Sequence, residues 1–221
     1  ITFSKNMINK YIVFKFKSWE GKHPIATLVN ALGDVKHLDH FYEYQLYCKS
    51  LYASIQNITK KAMKKLKEKT EQEYIELIRK DCKLEDYRDS RHIFSIDPMG
   101  SKDFDDAFDI EKINEEETRV SIYISNVSIW MDAMDLWDSF SNRISTIYLP
   151  DRKRPMLPTV LSDALCSLTE NDVRFVFELY LIVNTTTGEI KNVQFKNAII
   201  KLERNLRYDT QAQEEYPLYK Q

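Results

Sequence analysis

Apolar and polar positions alternate over Tyr11-Ile-Val-Phe-Lys-Phe-Lys17, with Ile12, Phe14 and Phe16 on one side and Lys15 and Lys17 on the other. That period of two predicts a β-strand. After a break at Glu20-Gly-Lys-His-Pro24, Ile25 to Leu32 reads as a second extended segment, stopped by Gly33-Asp34. Two strands do not make a domain, so this region predicts the tail of a small β-barrel whose earlier strands lie in residues 1–10 or are missing. Most of Phe14, Phe16 and Trp19 are then expected in barrel core; exposed aromatics able to stack bases are the alternative.

From about Phe41 to Lys80 the period becomes helical, with Ile55, Ile58, Ala62 and Leu66 at three- and four-residue spacings and Leu77 and Ile78 further on. No Gly or Pro interrupts this stretch. Its polar positions carry Lys60, Lys61, Lys64, Lys65, Lys67 and Lys69 beside Glu68, Glu71, Glu73 and Glu76, which predicts a solvated face laced with charge pairs in preference to a nucleic-acid contact.

Beyond the polar link Leu84–Asp89, a β-rich run over Ile93–Ile96 enters a turn marked by Pro98 and Gly100. Ala107–Ile110 and Val120–Ile124 then read as paired strands joined by the charged loop Lys112–Thr118. Trp130–Ile144 is amphipathic, and Met134, Trp137, Phe140 and Ile144 are expected on its core stripe. The three prolines of Tyr148–Pro158 keep that segment extended. Leu161–Leu168 reads as a short helical or turn element. Phe175–Val183 and Val193–Ile200 form a hairpin about Asn184-Thr-Thr-Thr-Gly188. From Asn205 the chain turns polar and predicts the start of a further helix.

Composition narrows this picture. With 221 residues and 43% apolar content the chain has enough material for a real core. A net charge of −2 gives no global attraction to phosphate, so any nucleic-acid affinity must be local. There is no run of about 18 uncharged apolar residues and no signal-peptide pattern, which argues against membrane and secretory classes. Cys48, Cys82 and Cys166 are odd in number and without a C-x-x-C pair, as expected of reduced thiols in an intracellular setting. The first residue is Ile1, not Met, and the expectation is a chain excised from something longer.

The candidate chemistry lies in Ser95-Ile-Asp-Pro-Met-Gly-Ser-Lys-Asp-Phe-Asp-Asp-Ala107, where Asp97, Asp103, Asp105 and Asp106 fall within ten residues. Four ionised, partly buried carboxylates this close would cost several kcal/mol unless a cation or hydrogen-bond donors offset the repulsion. Oxygen ligands without a nearby His or Cys suit Mg²⁺ or Mn²⁺ and not zinc; a polar surface turn is the plain alternative. A calcium loop of the EF-hand type fails on spacing. Counting from Asp97, position six is Lys102 and position twelve is Phe108, where Gly and Glu are required. In the proline-rich segment, Tyr148 with Arg152, Lys153 and Arg154 suits a phosphate chain and a stacked base, and binding loop and surface loop are equally open.

Four segments in order carry a resemblance: Asp86-Tyr-Arg-Asp89, Ser95-Ile-Asp-Pro with Asp103-Phe-Asp-Asp-Ala107, Tyr148-Leu-Pro with Pro155-Met-Leu-Pro158, and Leu161-Ser with Leu165-Cys-Ser-Leu168. Together they resemble the catalytic (RNB) domain of the ribonuclease II/R family. Ser18-Trp19, Pro24 and Leu32-Gly-Asp34 look like the end of the cold-shock barrel that precedes that domain, in the exosome-nuclease-like branch. The fold class implied is α+β: a partial cold-shock/OB-like barrel tail over residues 1–50, a helical connector over 51–90, and the N-terminal part of a mixed α/β RNB-type domain, truncated, over 91–221.

The resemblance implies Mg²⁺-dependent hydrolysis of single-stranded RNA from its 3′ end, releasing nucleoside 5′-monophosphates, with Mn²⁺ able to substitute. Asp97 and Asp106 match direct metal ligands, and Asp103 and Asp105 complete or support the site. Tyr148 matches an aromatic that stacks near the RNA 3′ end, and Tyr208 the tyrosine beside the terminal nucleotide. Arg152 and Arg154 are the expected cationic contacts, single-stranded RNA and an RNA-processing complex the expected partners, without a membrane.

Where relatives carry a His-Ile-Ala-Asp-Val type strand, this chain has Tyr123-Ile-Ser-Asn-Val127. The family's later phosphate-stabilising arginine has no counterpart, because the likeness covers only the first third to half of the catalytic domain. A nuclease is therefore the first expectation and a catalytically inactive RNA-binding or scaffold relative the second.

Overall fold

The computed structural model describes residues 8–141 and 143–208. In chain order its first elements are β1 (Lys10–Ser18), β2 (Ile25–Asp34), α1 (Leu38–Cys48), α2 (Gln56–Glu68), α3 (Glu71–Asp81), β3 (Glu85–Asp86), β4 (Phe94–Asp97), β5 (Asp106–Lys112) and β6 (Glu117–Ser125). There follow α4 (Val127–Ala133), a 3₁₀ turn at Trp137–Ser139, β7 (Ile147–Tyr148), β8 (Lys153–Arg154), a π turn at Val160–Leu165, β9 (Val173–Asn184), β10 (Ile190–Lys201) and β11 (Arg204–Arg207). They divide into two compact units, one reaching to Ile55 and taking back Ser141–Met156, the other formed by Gln56–Phe140 and the chain from Leu157.

In the first unit β1 and β2 are antiparallel, from Lys10 opposite Asp34 to Ser18 opposite Ile25, with bulges along the ladder. Tyr11 stacks on Tyr44 of α1 at 4.6 Å between ring centroids. Gly33 (φ 134°) ends β2, where a Cβ would meet the His40 ring at 2.3 Å, so the close approach of helix and strand requires glycine. The expected barrel is not confirmed: among the described residues β1 and β2 pair only with each other and no closed barrel forms. Phe14, Phe16 and Trp19, expected as core, are each at least 60% exposed. A two-stranded ribbon has no second layer to cover them.

The second unit is built on a seven-stranded mixed sheet, ordered β11-β4-β5-β6-β9-β10-β3. Its middle ladders are antiparallel, and β11 and β3 add in parallel at the two edges. The predicted 184–188 turn closes β9 on β10, with Gly188 at φ 72°. Ala107, Tyr123, Val176, Ala198 and Ile200 form one buried cluster with Tyr87, Ile93, Leu168 and Leu202. Ile58 and Ala62 of α2 and Tyr74, Ile75 and Ile78 of α3 are buried, and Trp130 of α4 packs edge-on against both Tyr74 and Phe175.

Three sequence expectations change. The continuous 41–80 helix is three helices. Thr70 starts α3 with a capping box, accepting from the Glu73 amide while the Glu73 carboxylate accepts from the Thr70 amide, a signal present in Thr70-Glu-Gln-Glu73. The 130–144 helix is the short α4, capped by Asn126 and ended where Asp135 adopts a left-handed φ of 53°. Met134 and Leu136 stay buried, whereas Trp137, Phe140 and Ile144 are exposed. Arg204–Arg207 form a strand, and the helix expected beyond them falls on 209–221, outside the described residues. The lysine-rich face does carry charge pairs, Lys64 and Lys65 to Glu68 and Lys61 to Asp135 and Asp138.

Candidate active site

Asp97 is the last residue of β4 and Asp106 the first of β5, so the two strands set the mouth of the aspartate turn. Gly100 takes φ 89° within it, and the Ser101 amide donates to the Pro98 carbonyl at 3.2 Å. Asp106 stands opposite Ile124 and Ala107 opposite Tyr123, which places Asp106 and Tyr123 on opposite faces of the sheet. On the other side of β4, β11 runs parallel with Arg207 opposite Asp97. The Tyr208 amide then donates to the Asp97 carbonyl at 3.3 Å, so the exposed Tyr208 comes beside Asp97 from far along the chain.

The Ser95 hydroxyl donates to Asp97 Oδ2 at 2.7 Å. Burial pushes the Asp97 carboxyl above the usual carboxylate range; the Ser95 hydrogen bond opposes this, and the charges of Asp106 and Asp103 add to it. Asp103 and Asp106 therefore lie within electrostatic reach of Asp97. Asp105 acts on another neighbour. The Cys166 thiol is pushed up to about 12, by burial first, with Arg174 and a Ser125 hydrogen bond opposing and the Asp105 charge adding.

Segment 166–168 clasps the turn from outside. The Ser167 hydroxyl accepts from the Phe104 amide at 3.0 Å and donates to the Lys102 carbonyl at 3.2 Å, while the Leu168 amide donates to the Phe104 carbonyl at 2.8 Å. The Ser125 amide donates to the Asp105 carbonyl at 2.9 Å. Arg174 holds the clasp in turn, its Nε donating to the Ser167 carbonyl at 2.7 Å. Sequence reasoning assigned no role to Ser95, Ser125, Ser167 or Asn205. Ser95 had a local signal, since it lies two residues before Asp97 on the same strand. The other three reach the turn only through the fold.

Tyr148, Arg152 and Arg154 belong to the first unit. Tyr148 is 72% exposed, and Arg152 extends into solvent while touching Glu43 at 3.2 Å. Arg154 is buried. Its guanidinium donates to both Asp151 oxygens at 2.7 and 2.8 Å and to Glu43 at 2.7 Å, tying the proline-rich loop to α1.

Tyr123 and Asn126, the two departures from the family pattern, both have structural occupations. Tyr123 is fully buried, its hydroxyl accepting from Arg91 at 2.6 Å. Arg91 also reaches Ser121 and pairs with Glu178, lies 3.4 Å over the Tyr87 ring, and sits 3.9 Å from Asp109, which Arg119 meets at 2.6 Å. Asn126 Oδ1 accepts from the Ile129 amide and the Ser128 hydroxyl at the start of α4.

The aspartates suit a hard divalent cation in donor chemistry, offering carboxylate oxygens whose neighbouring charges already raise Asp97. A finished cage is absent. Among the described residues no three His, Cys, Asp or Glu side chains stand in a metal-holding arrangement.

A mixed sheet with an aspartate-lined turn between two adjacent strands defines the class, and comparison with known proteins supplies the family. Residues 84–215 match the RNB domain, and the chain belongs to that family. It is 36% identical over 120 residues to Ribonuclease R of Ureaplasma parvum, covering 54% of this chain and 16% of that protein. It is equally 36% identical over 125 residues to the probable exosome complex exonuclease RRP44 of Caenorhabditis elegans, covering 55% and 13% respectively. Among solved structures, Mycoplasma genitalium RNase R in complex with double-stranded RNA superposes with a TM-score of 0.73 at 21% identity, over 96% of this chain and 37% of that one. The chain thus spans about a fifth or less of these curated relatives. No helix among the described residues is long and apolar enough to cross a membrane.

Proposed function

We propose that this chain contributes part of the active centre of an intracellular exoribonuclease that hydrolyses single-stranded RNA from its 3′ end and releases nucleoside 5′-monophosphates, using Mg²⁺ or Mn²⁺. The observation that carries the reading is the placement of Asp97 at the end of β4 and Asp106 at the start of the adjacent β5, with Tyr208 laced by its backbone to Asp97. Asp97 and Asp106 are the proposed direct ligands, with Asp103 and Asp105 completing or supporting them. A divalent cation held by these carboxylates would supply an activated water and offset charge on the phosphoryl oxygens.

Tyr208, exposed beside Asp97, is suited to stack on the terminal base, and the exposed Tyr148 is suited in its own right to stack on a base. Stacking tolerates any sequence and requires unpaired bases. Arg152 is the proposed phosphate contact, and Arg154 serves it by holding the loop through Asp151 and Glu43. Residues 91–221 would form the first part of the catalytic domain, and residues 1–50 would belong with a preceding RNA-binding barrel. Similarity to RRP44, named for the exosome complex, supports an RNA-processing assembly as partner.

The test is release of 5′-monophosphates from 5′-labelled single-stranded RNA by the full-length protein with Mg²⁺, compared with Asp97→Asn. Wild-type shortening that the variant loses supports the reading. Equal shortening by both sinks it. The second reading, an RNA-binding relative without hydrolysis, is motivated by Tyr123 and Asn126. It expects wild-type protein to bind RNA with no nucleotide release. The occupations of these residues weigh against it, since one lies in a network on the opposite face from Asp106 and the other caps α4.

A further inference from the structure

We infer that Asn205 and Ser95 are positioning residues for Asp97, forming a two-step hydrogen-bond relay that decides which carboxylate oxygen faces a bound cation. The inference rests on the metal-dependent reading above and adds residues from outside the aspartate turn. Ser95 is fully buried, and its hydroxyl lies 2.7 Å from Asp97 Oδ2 and 2.8 Å from Asn205 Nδ2. Asn205 sits on β11, the edge strand parallel to β4, directly opposite Ser95.

Chemistry fixes the direction of every proton in this relay. The Glu170 amide, which can only donate, lies 2.8 Å from Asn205 Oδ1, so that atom is the carbonyl oxygen. The Leu168 carbonyl, which can only accept, lies 2.8 Å from Nδ2 and takes one of its protons. The other Nδ2 proton points at Ser95 Oγ. Ser95 must therefore accept from Asn205, and its single proton goes to Asp97 Oδ2.

The consequence is a carboxylate with two unlike oxygens. Oδ2 is held by the hydroxyl, while the relay makes no claim on Oδ1. Outer hydrogen bonds of this kind orient metal-binding carboxylates, and losing one typically weakens metal affinity about 10- to 100-fold. The same Asn205 binds Leu168 and Glu170, next to the Ser167 clasp, so the orientation of Asp97 and the shape of the turn share one anchor.

The experiment titrates Mn²⁺ into the full-length protein without RNA, by electron paramagnetic resonance, for wild type, S95A, N205D and D97N. S95A should raise the Mn²⁺ dissociation constant about tenfold or more. N205D is the sharper variant. It keeps the shape but offers Ser95 an acceptor, so the hydroxyl proton turns away from Asp97. A simple charge effect of the added carboxylate would tighten Mn²⁺, whereas loss of the relay weakens it. Weaker binding in both variants, with unchanged circular dichroism, supports the proposal. Wild-type affinity or tighter in S95A while D97N loses the metal overturns it and leaves the metal reading standing. Should N205D fail to fold, S95A decides alone. Mn²⁺ binding that D97N leaves unchanged, or none in wild type, overturns both.

Discussion

Asp97 and Asp109 are carboxylates of neighbouring strands in one sheet, and their surroundings differ in kind. Asp109 is buried between two guanidiniums, with Arg119 at 2.6 Å and Arg91 at 3.9 Å. Arg91 also serves Glu178, Tyr123 and Ser121, and Tyr87 donates to Glu178 at 3.0 Å. Acid and base are matched there inside the protein. Around Asp97 the partner is one hydroxyl and the neighbouring charges have its own sign. Residue type alone separates neither carboxylate from the other. What separates them is whether the fold supplies the compensating charge or leaves the carboxyl raised beside charges of its own sign.

The largest break in this comparison is Arg91→Met. It strands the fully buried Glu178 with no guanidinium, and losing one partner of a buried pair costs about 3–5 kcal/mol. Urea unfolding of the full-length protein should show that loss in the transition of the RNB region. Removing both charges in Arg91→Met/Glu178→Met should recover part of it, because Glu178 is no longer left as an unpaired charge while the Tyr87 and Tyr123 hydroxyls still lose their partners. If single and double variants were equally unstable, the network would matter for shape and not for charge matching.

A smaller effect is expected at the clasp. Ser167→Ala removes the acceptor of the Phe104 amide and the donor to the Lys102 carbonyl, worth about 1–3 kcal/mol if the groups stay buried. Hydrogen exchange should quicken at Phe104 while the amides of β9 and β10 keep their protection. Uniform acceleration across the sheet would mean that Ser167 holds the whole unit and not the aspartate turn.

How much of this was legible in the chain follows from distance along it. The aspartates, the Pro98 and Gly100 turn and the β9–β10 hairpin announce themselves within a few residues, because turn chemistry and period are local. The capping box at Thr70 was equally local and passed unread. Asp135, which ends α4 through a left-handed backbone, left no periodic signal, so the apolar stripe through Trp137 and Ile144 read as core when both are exposed. Asn205 meets Ser95 because β11 pairs with β4, and Glu178 of β9 meets Arg91 of the segment before β4, and no spacing rule reaches that far. The expected core positions of Phe14 and Phe16 failed for the converse reason: period two identifies a strand but does not say whether a second layer covers it.

The smallest effect should have the opposite sign to the first. Asp97→Asn keeps an oxygen for the Ser95 hydroxyl while removing a charge that burial, Asp106 and Asp103 all disfavour. In chelator, at neutral pH and low salt, it should stabilise the full-length protein by roughly 0.5 kcal/mol, or about 1–2 °C in Tm, even as it removes a proposed metal ligand. The sign follows from linkage. A carboxyl whose folded pKa is raised binds its proton more tightly when folded, so the penalty is complete above the folded pKa and fades as pH falls below it. The gap between variant and wild type should therefore close on acidification and shrink with added salt, since part of it is like-charge repulsion. Adding Mg²⁺ should reverse the order, because the ion stabilises wild type and finds a weaker site in the variant. If the variant were instead less stable at neutral pH without metal, Asp97 would belong with Asp109 among carboxylates that the fold itself compensates.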